Sequence, residues 1–409
     1  MQCRHCGHKL RHPFLDLGNA PPSNAYLSKE ALNVPEIWFP LHVLVCDQCW
    51  LVQTEDHAGR DALFSEDYAY FSSFSSSWLA HSKHYVESMV ARFSLGMSSC
   101  VVEVAANDGY LLQYVQAHSI PCYGIEPTAS TAAAARAKGI HIEEQFFGVT
   151  LADILVAQRR QADLTIANNV LAHVPDINDF VRGFARLLKP QGVATFEFPH
   201  LLRMVQDCQF DTAYHEHYSY LSLHAVQTIF EANGLSVFDV GQFPTHGGSL
   251  RVFAQRRDSG SHNITPNVDT ILAEERAAGL LDTTFYTNFM RQPQRIAREL
   301  LSFLVTAFNN GKSVGAYGAA AKGNTLLNFA GVRPHLLPYV VDLNPAKQGK
   351  HMPGSLIPIL TENHLRNQRP DYVLILPWNL REEVVQQLSY IREWGGVFVT
   401  AIPSLKVFA

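Results

Sequence analysis

The chain has 409 residues, more than the roughly 250–300 at which a single hydrophobic core stops growing, so two or three domains are expected. Hydrophobic residues make up 47% and charged residues 17%, which is typical of globular proteins and excludes a disordered chain. Lys and Arg number 32 against 37 Asp and Glu, without a basic run, so a nucleic-acid partner is not expected.

The amino-terminal segment MQCRHCGHKLRHPF lacks the apolar stretch of a signal peptide, and no segment approaches the roughly 18 apolar residues of a membrane span. The chain is therefore predicted to be cytoplasmic and to have no membrane partner. The sequence leaves the oligomeric state open, and a monomer is compatible with it.

Two CxxC pairs, separated by 39 residues, consist of Cys3, Cys6, Cys46 and Cys49. In a reducing compartment such pairs indicate a metal rather than disulfides. Four thiolates complete a closed tetrahedral zinc site and leave no position for a reactive water, so the zinc is predicted to be structural rather than catalytic. Nearby histidines could replace one cysteine as a ligand: His5, His8 and His12.

From residue 99 onward, strand and helix patterns alternate. The strands CVVEVAA, CYGIEP, DLTIANN and GVATFEFP are separated by the helices GYLLQYVQAH, STAAAARAKG and DINDFVRGFARLL. This alternation predicts an open parallel α/β sheet with right-handed crossovers. The segments LSVFDVGQF and SLRVFAQR then read as antiparallel strands.

Residues 267–310 keep helical spacing and lack strand signals, which predicts one or two long helices that bridge two domains. A second α/β pattern follows, with the strands KSVGAYG, LPYVVDLN, DYVLILP and GVFVTAIP and the helices AAKGNTLLNFAG and REEVVQQLSYIREWG. The predicted organisation is a zinc-binding module at 1–65, a Rossmann-like domain at 66–260, and a helical bridge with a second Rossmann-like domain at 261–409.

A nucleotide-type cofactor is expected at the carboxyl ends of the first sheet, where open α/β sheets bind ligands. The first turn, VEVAANDG, lacks the GxGxxG pattern of a dinucleotide site, so a cofactor without phosphates, S-adenosylmethionine, fits it better. Glu126 ends the second strand, where a carboxylate can bind both ribose hydroxyls. The predicted cofactor-binding residues are Glu103, Ala105, Asn107, Asp108, Gly109, Glu126, Pro127, Asn168 and Asn169.

Several segments together resemble the family of sugar C-methyltransferases that act on nucleotide-linked keto-deoxysugars: EVAANDGYLL, GIEP, HVPDINDFVRGFARLLKPQG, FEFPH, FDTAYHEHYSY, THGGSLR and GAYGAAAKGNTLLNFAG. The resemblance covers nearly the whole chain. It implies an amino-terminal zinc module, a central class I methyltransferase domain and a carboxyl-terminal domain that helps to bind the nucleotide-sugar.

The chemistry of that family requires a base that removes a proton beside a ketone, and His is suited to it because it titrates near neutral pH. The resemblance implies that His217 is this base and that Glu216 orients or polarises the site. It also implies that Tyr214, His173 and Tyr70 stabilise the enolate.

Other interpretations of these residues remain open. The His-x-His pair in YHEH could bind a metal, although HExxH is absent, or could have no role. His173 could only satisfy backbone groups, and the assignment of Tyr70 could slip by two residues within its aromatic run.

Two further motifs suggest where the acceptor binds. The segment HGGSLR places a glycine pair beside Arg251, which suits a substrate phosphate or a plain hairpin corner. The segment GAAAKGN follows a strand and opens a helix, where N–H groups and a lysine favour an anion such as a pyrophosphate. The predicted substrate-binding residues are Tyr70, Ser72, His173, Tyr214, His215, His246, Arg251, Lys322, Asn324, Asp342 and Asn344.

The expected activity is therefore C-methylation of a nucleotide-diphosphate keto-deoxysugar, and the resemblance favours C3 beside a C4 ketone. O- or N-methylation of another small molecule would need neither an enolate base nor a second nucleotide-type domain. A non-catalytic binding protein would need no base. The sequence does not identify the nucleotide or the pathway.

Overall fold

The computed structural model describes residues 1–57 and 71–409. The amino-terminal part forms a four-stranded antiparallel sheet in the order β1-β2-β3-β9. Its strands are β1 (His12–Ala20), β2 (Phe39–Val45), β3 (Val52–Thr54) and β9 (Ser219–Tyr220). The last strand lies far along the chain, so this sheet is completed by the domain that follows it.

The central part is built on a seven-stranded sheet in the order β10-β11-β8-β7-β4-β5-β6. Its strands are β4 (Val101–Val104), β5 (Cys122–Ile125), β6 (Ile142–Glu143), β7 (Ala162–Asn168), β8 (Leu188–Pro199), β10 (Leu235–Phe243) and β11 (Ser249–Arg256). Strands β4 to β8 are parallel, and β11 and β10 add an antiparallel edge. The two-residue β6 has too short a pattern to be predicted.

Helices cover both faces of this sheet. They are α1 (Ser76–Phe93), α2 (Leu112–Ala117), α3 (Ala129–Ala137), α4 (Val149–Ala157), α5 (Ile177–Leu187), α6 (Leu201–Gln206) and α7 (Leu223–Ala232). In α5 the buried side chains recur at steps of three and four, including Ile177, Phe180 and Phe184, so one stripe faces the core. The Asp176 carboxylate caps α5 by accepting from the Asp179 N–H at 2.9 Å.

Three helices, rather than the one or two predicted, connect the central part to the carboxyl-terminal part: α8 (Pro266–Ala278), α9 (Thr283–Thr287) and α10 (Arg291–Asn309). The helical pattern is interrupted because Gly279 ends α8 with a left-handed φ of 93°.

The carboxyl-terminal part is a six-stranded sheet in the order β14-β13-β12-β15-β16-β17. Its strands are β12 (Val314–Tyr317), β13 (Val340–Val341), β14 (Ile359–Leu360), β15 (Tyr372–Ile375), β16 (Val397–Thr400) and β17 (Lys406–Phe408), and its helices are α11 (Ala321–Phe329), α12 (Asn363–Gln368) and α13 (Arg381–Gln387). All strands are parallel except β17. These three parts confirm the predicted α/β architecture.

No helix in residues 1–57 or 71–409 is long and apolar enough to cross a membrane. The predicted cytoplasmic location stays a prediction.

A buried pair joins the helical bridge to the central sheet. Glu275 of α8 accepts from His200 Nε2 at 2.7 Å and from the backbone N–H groups of Leu223 and His224 at 2.6 and 2.9 Å. Both side chains are about 1% exposed. The carboxylate therefore satisfies the amino terminus of α7 as well as the histidine.

We expect Glu275→Ala to lower the free energy of unfolding by about 3–5 kcal/mol, because it leaves a buried histidine and two backbone donors unpaired. Glu274→Ala is the matched control, since Glu274 makes a partly exposed ion pair with Arg203 that is worth roughly 0–1 kcal/mol. Urea denaturation followed by tryptophan fluorescence measures both. Equal losses in the two variants would contradict the anchoring role of Glu275.

Candidate functional site

A cavity of about 390 Å³ lies beyond the carboxyl ends of β4, β5 and β7, and all three parts of the chain contribute to its wall. Asn24 comes from the amino-terminal part, and Lys322 and Asn379 come from the carboxyl-terminal part. The predicted residues that line it are Ser72, Ala105, Asn107, Glu126, Pro127, Asn168, Asn169, His173, Tyr214, His217, His246 and Lys322. Tyr70 lies outside the described residues.

The turn after β4 has left-handed backbone at Ala105 and Asn107, with φ of 59° and 49°. This conformation turns the backbone sharply at the strand end although no glycine stands at either position. The side chain of Asn107 also accepts from the Ser72 N–H at 2.9 Å, which holds the segment before α1 against the cofactor turn.

Glu126 is buried at the end of β5, and burial raises the pKa of its carboxyl group. Its two oxygens accept from the backbone N–H groups of Asn107 and Thr128 at 2.9 and 3.0 Å, which favours the ionised form. Each carboxylate oxygen can accept a second hydrogen bond, so Glu126 can still bind a ribose diol. The residues therefore fit S-adenosylmethionine.

The same cavity also contains side-chain oxygens that could bind a cation. Among the described residues, Asn168 Oδ1 and Asn169 Oδ1 are buried without a hydrogen-bond partner. Buried acceptors of this kind are costly unless a ligand satisfies them. An ammonium group such as that of the methionine portion of S-adenosylmethionine would do so.

Three predicted cofactor residues lie outside the cavity wall. Glu103 is buried within β4, and Asp108 is buried with Lys138 Nζ 3.4 Å away. Gly109 serves packing, because a Cβ there would lie 2.3 Å from Ile140 Cδ1. These residues support the turn instead of touching a ligand.

Other lining residues were missed by the sequence reasoning. Gln145, Phe146 and Phe147 follow the unpredicted β6, and Trp78 stands in the first turn of α1. Recognition of β6 as a strand would have pointed to the first three, since residues after parallel strands face the ligand.

The predicted base His217 is held by two hydrogen bonds. Its Nδ1 lies 2.7 Å from the Thr212 carbonyl, which can only accept, so Nδ1 carries the hydrogen and Nε2 keeps its lone pair. Tyr214 Oη donates to Nε2 at 2.7 Å. Burial, helped by the neighbouring His173, lowers the pKa of His217 well below its usual value, so the ring is neutral at neutral pH and its Nε2 can accept a proton.

His173 is placed beside this base. Its Nδ1 donates to the Glu216 carbonyl at 2.8 Å, and its ring centroid is 4.6 Å from that of His217. Burial lowers the pKa of His173 to about 4. Because its Nδ1–H is engaged by the Glu216 carbonyl, neutral His173 can only accept a further hydrogen bond, at Nε2, and it adds no positive charge next to His217.

Two members of the YHEH segment do not face the cavity. Glu216 is 1% exposed, and its Oε1 accepts from both the backbone N–H and Nδ2 of Asn24, at 3.3 and 3.2 Å. His215 is turned toward the amino-terminal sheet, where Nε2 donates to the Pro40 carbonyl at 3.2 Å. The prediction that these side chains act directly in the site is therefore corrected, because their neighbours shield them from the cavity.

Arg251 was expected to bind a substrate phosphate, but the structure places it in a buried ion pair. Its Nε donates to Glu197 Oε2 at 3.0 Å, and its guanidinium lies 4.4 Å over Tyr85 and 4.2 Å over Phe243. The partner was missed because it lies far away in sequence, on the adjacent β8.

This ion pair supports the turn that carries His246. Glu197 Oε1 accepts from Thr245 Oγ1 at 3.0 Å, and His246 Nε2 accepts from Asn169 Nδ2 at 3.0 Å. Burial lowers the pKa of His246 to about 4, so its ring is neutral where it faces the cavity.

Lys322 is the cation on the carboxyl-terminal wall. Its Nζ donates to Asn379 Oδ1 at 3.3 Å and lies 4.7 Å from the ring centre of Trp378. Burial lowers the pKa of Lys322 to about 8, although the Asp211 carboxylate opposes this shift. Trp378 Nε1 in turn donates to Asp211 Oδ2 at 2.8 Å, which joins the two domains.

The other predicted acceptor residues of this domain lie behind the wall. Asp342 accepts from the N–H groups of Ala319 and Asn344 at 2.7 and 2.8 Å, so it holds the turn before Lys322. Asn324 is fully buried within α11. The direct-contact prediction for Asn324, Asp342 and Asn344 is corrected to a supporting position.

A separate cluster fits the predicted zinc. The Sγ atoms of Cys3, Cys6, Cys46 and Cys49 all lie within 4.8 Å of one another, with pairs at 3.5 and 3.6 Å. A tetrahedral zinc with bonds of about 2.3 Å has ligand separations of roughly 3.8 Å, so the four atoms fit it.

The nearby histidines are engaged elsewhere. His5 Nδ1 lies 2.7 Å from Asn178 Oδ1, while His8 and His12 contact Asp47 at 3.1 and 3.2 Å. All four ligands are therefore cysteines.

We expect Cys3→Ser to lower zinc content well below one atom per chain and to reduce solubility, because a small module gains folding energy from its metal. Cys100→Ser, which changes a cysteine outside the cluster, should keep full zinc content. Elemental analysis of the purified variants measures this. Full zinc in Cys3→Ser would contradict the assignment.

Three family models match successive parts of the chain. Family models match residues 3–64 ("Putative zinc binding domain"), 78–240 ("Methyltransferase domain") and 244–403 ("C-methyltransferase C-terminal domain"). The C-methyltransferase NovU of Streptomyces niveus is 33% identical over 408 residues, which are 100% of this chain and 97% of that protein.

Two solved structures that resemble the chain each cover 44% of it. The magnesium protoporphyrin IX methyltransferase of Synechocystis PCC 6803 with bound SAH is 17% identical, with a TM-score of 0.35, over 44% of this chain and 83% of that chain. An S-adenosylmethionine-dependent methyltransferase of Clostridium acetobutylicum is 10% identical, with a TM-score of 0.36, over 44% and 92%.

The full-length relative and the three successive family models confirm the predicted family. The predicted cofactors, S-adenosylmethionine and zinc, are confirmed with it. The chain therefore belongs to the S-adenosylmethionine-dependent C-methyltransferases that carry an amino-terminal zinc-binding module.

Proposed function

We propose that the protein methylates a carbon beside the ketone of a nucleotide-linked 4-keto-deoxysugar, at C3, and forms a branched sugar. The observation that carries this proposal is a neutral His217, held with its Nε2 lone pair in a cavity shared by the cofactor turn and Lys322. A C-methyltransferase needs such a base, because carbon that still bears hydrogen is not nucleophilic.

The cofactor half of the cavity binds S-adenosylmethionine, which supplies a methyl group on a sulfonium sulfur. Glu126 would accept from the ribose hydroxyls, and Ala105 and Asn107, which line the same cavity, would hold the cofactor beside it. Asn168 and Asn169 offer their side-chain oxygens to the ammonium group. Pro127 closes the wall beside Glu126.

His217 Nε2 takes the proton from the carbon beside the ketone, and the electrons of the C–H bond move to the ketone oxygen. The Tyr214 hydroxyl donates to Nε2 in the free protein and turns to this oxygen when the sugar binds. Neutral His246 accepts from Asn169 at Nε2, so its Nδ1–H is a donor suited to a developing oxyanion. Neutral His173, whose Nδ1–H is engaged by the Glu216 carbonyl, presents only its Nε2 lone pair and accepts from the substrate. Tyr70 keeps its predicted role of stabilising the enolate. Ser72 contacts the sugar.

The diphosphate of the sugar nucleotide lies against the carboxyl-terminal wall. Lys322 supplies the charge there, and the turn before it is held by Asp342. O- or N-methylation of another small molecule would need no enolate and would leave Lys322 without an anionic partner.

We expect His217→Ala to lower turnover by about 10²–10⁴-fold, the range of general base catalysis, while S-adenosylmethionine binding stays unchanged. Turnover is measured as S-adenosylhomocysteine formation with a panel of 4-keto-6-deoxy nucleotide sugars, and binding by calorimetry. Wild-type protein should also exchange hydrogen beside the ketone in deuterated water, and the variant should not. A variant with wild-type turnover would remove His217 as the base.

The lowered pKa of Lys322 predicts that the pH profile of kcat/KM falls on its basic side, which we call the basic limb. Below pH 8 the amine is charged and binds the diphosphate, and above about pH 8 it is neutral, so kcat/KM for the sugar nucleotide should fall. Lys322→Arg keeps its charge to much higher pH and should remove this limb, whereas Lys322→Met should lower kcat/KM below pH 8 to the level that the wild type reaches above it. An unchanged limb in both variants would rule out Lys322 as its source.

A further inference from the structure

The amino-terminal module contributes a side chain to the cavity. Asn24 lies in the loop between β1 and β2, is half-buried, and lines the cavity together with Tyr214 and His217. The zinc ligands belong to the same module. Its part in the site therefore extends beyond folding.

The orientation of the Asn24 amide is determined by two neighbours. Nδ2 donates to Glu216 Oε1 at 3.2 Å, and Oδ1 lies 3.4 Å from the Tyr26 hydroxyl oxygen. The backbone N–H of Asn24 adds a second bond to the same Glu216 oxygen at 3.3 Å. Because an ionised carboxylate only accepts, Nδ2 is the amide atom that faces Glu216.

The loop itself is fixed against the carboxyl-terminal domain. Tyr26 Oη donates to the Ala319 carbonyl at 2.6 Å, and Lys347 Nζ donates to the same carbonyl at 2.8 Å. Ser23 Oγ lies 3.4 Å from Thr325 Oγ1 on α11. Asn24 is thus held from both sides, as a group that binds a ligand must be.

We propose that Asn24 is a substrate-contacting residue, which donates the second hydrogen of Nδ2 to an oxygen of the sugar, and that Glu216 is the positioning residue that holds this amide. An amide nitrogen carries two hydrogens, and one of them is directed at Glu216. Glu216 is shielded from the cavity, so its effect on the reaction passes through Asn24. The inference rests on the proposed sugar substrate.

The test compares Asn24→Ala, Glu216→Gln and the double variant in the full-length protein, with the same panel of 4-keto-6-deoxy nucleotide sugars. Asn24→Ala should lower kcat/KM for the sugar by about 10- to 100-fold, the effect of one lost hydrogen bond to substrate. The affinity for S-adenosylhomocysteine should stay within twofold of wild type. Asn33→Ala, an exposed asparagine of the same module, should leave all constants unchanged.

The double variant distinguishes positioning from general support of the fold. If Glu216 acts through Asn24, the two losses overlap and the double variant is no slower than the slower single variant. Fully additive losses, or an Asn24→Ala protein with wild-type kcat/KM, would overturn the inference. A loss of cofactor affinity together with a lowered melting temperature would also overturn it.

The proposed function and this inference fail in different ways. A wild-type protein that transfers no methyl group to any sugar of the panel refutes the proposed function and the inference with it. A wild-type protein that is active beside an equally active Asn24→Ala refutes the inference alone. Asn24→Asp serves as a second variant of similar shape, and its carboxylate, placed against Glu216, should reduce kcat/KM at least as much as alanine does.

Discussion

The hydrogen bond from Thr54 Oγ1 to the carbonyl of His217, 2.6 Å long, links the zinc module to the segment that carries the proposed base. Residues 212–217 form no long regular element, so their position depends on what holds them from outside. Strand β9, which begins just after this segment, pairs with β3. Gln53 of β3 also donates to the sulfur of Cys3 at 3.2 Å. A continuous line of contacts therefore runs from the metal ligands to the base.

Burial sets the charge of the site. It makes the histidines of the cavity neutral and lowers the pKa of Lys322, so a base and a cation can stand close together. A protonated histidine would be repelled by Lys322 and could no longer accept a proton. The apolar surroundings thus supply the base and strengthen each hydrogen bond to a developing charge.

Much of the fold was predictable because it depends on local patterns. The strand ends at Glu126 and Asn168 follow from hydrophobic runs, and the paired CxxC motifs carry their own geometry. Arg251 was misassigned because a basic side chain beside glycines looks the same whether it meets a phosphate or Glu197.

Long-range contacts account for the other misses. Asn24 has no motif, and contacts with residues far along the chain, such as Glu216, bring it to the cavity. The shielding of Glu216 and His215 likewise depends on tertiary packing. The predicted domain limits and the role of Tyr70 stay predictions.

The sheet of the zinc module is completed by β9, which has consequences during synthesis. A ribosome releases β3 long before Ser219 and Tyr220 emerge, so one edge of the new sheet stays open meanwhile. Open edges recruit strands from other chains. A fragment that ends before β9 should therefore self-associate even with its metal in place. The residues of the cofactor turn are also synthesised before the carboxyl-terminal wall that carries Lys322.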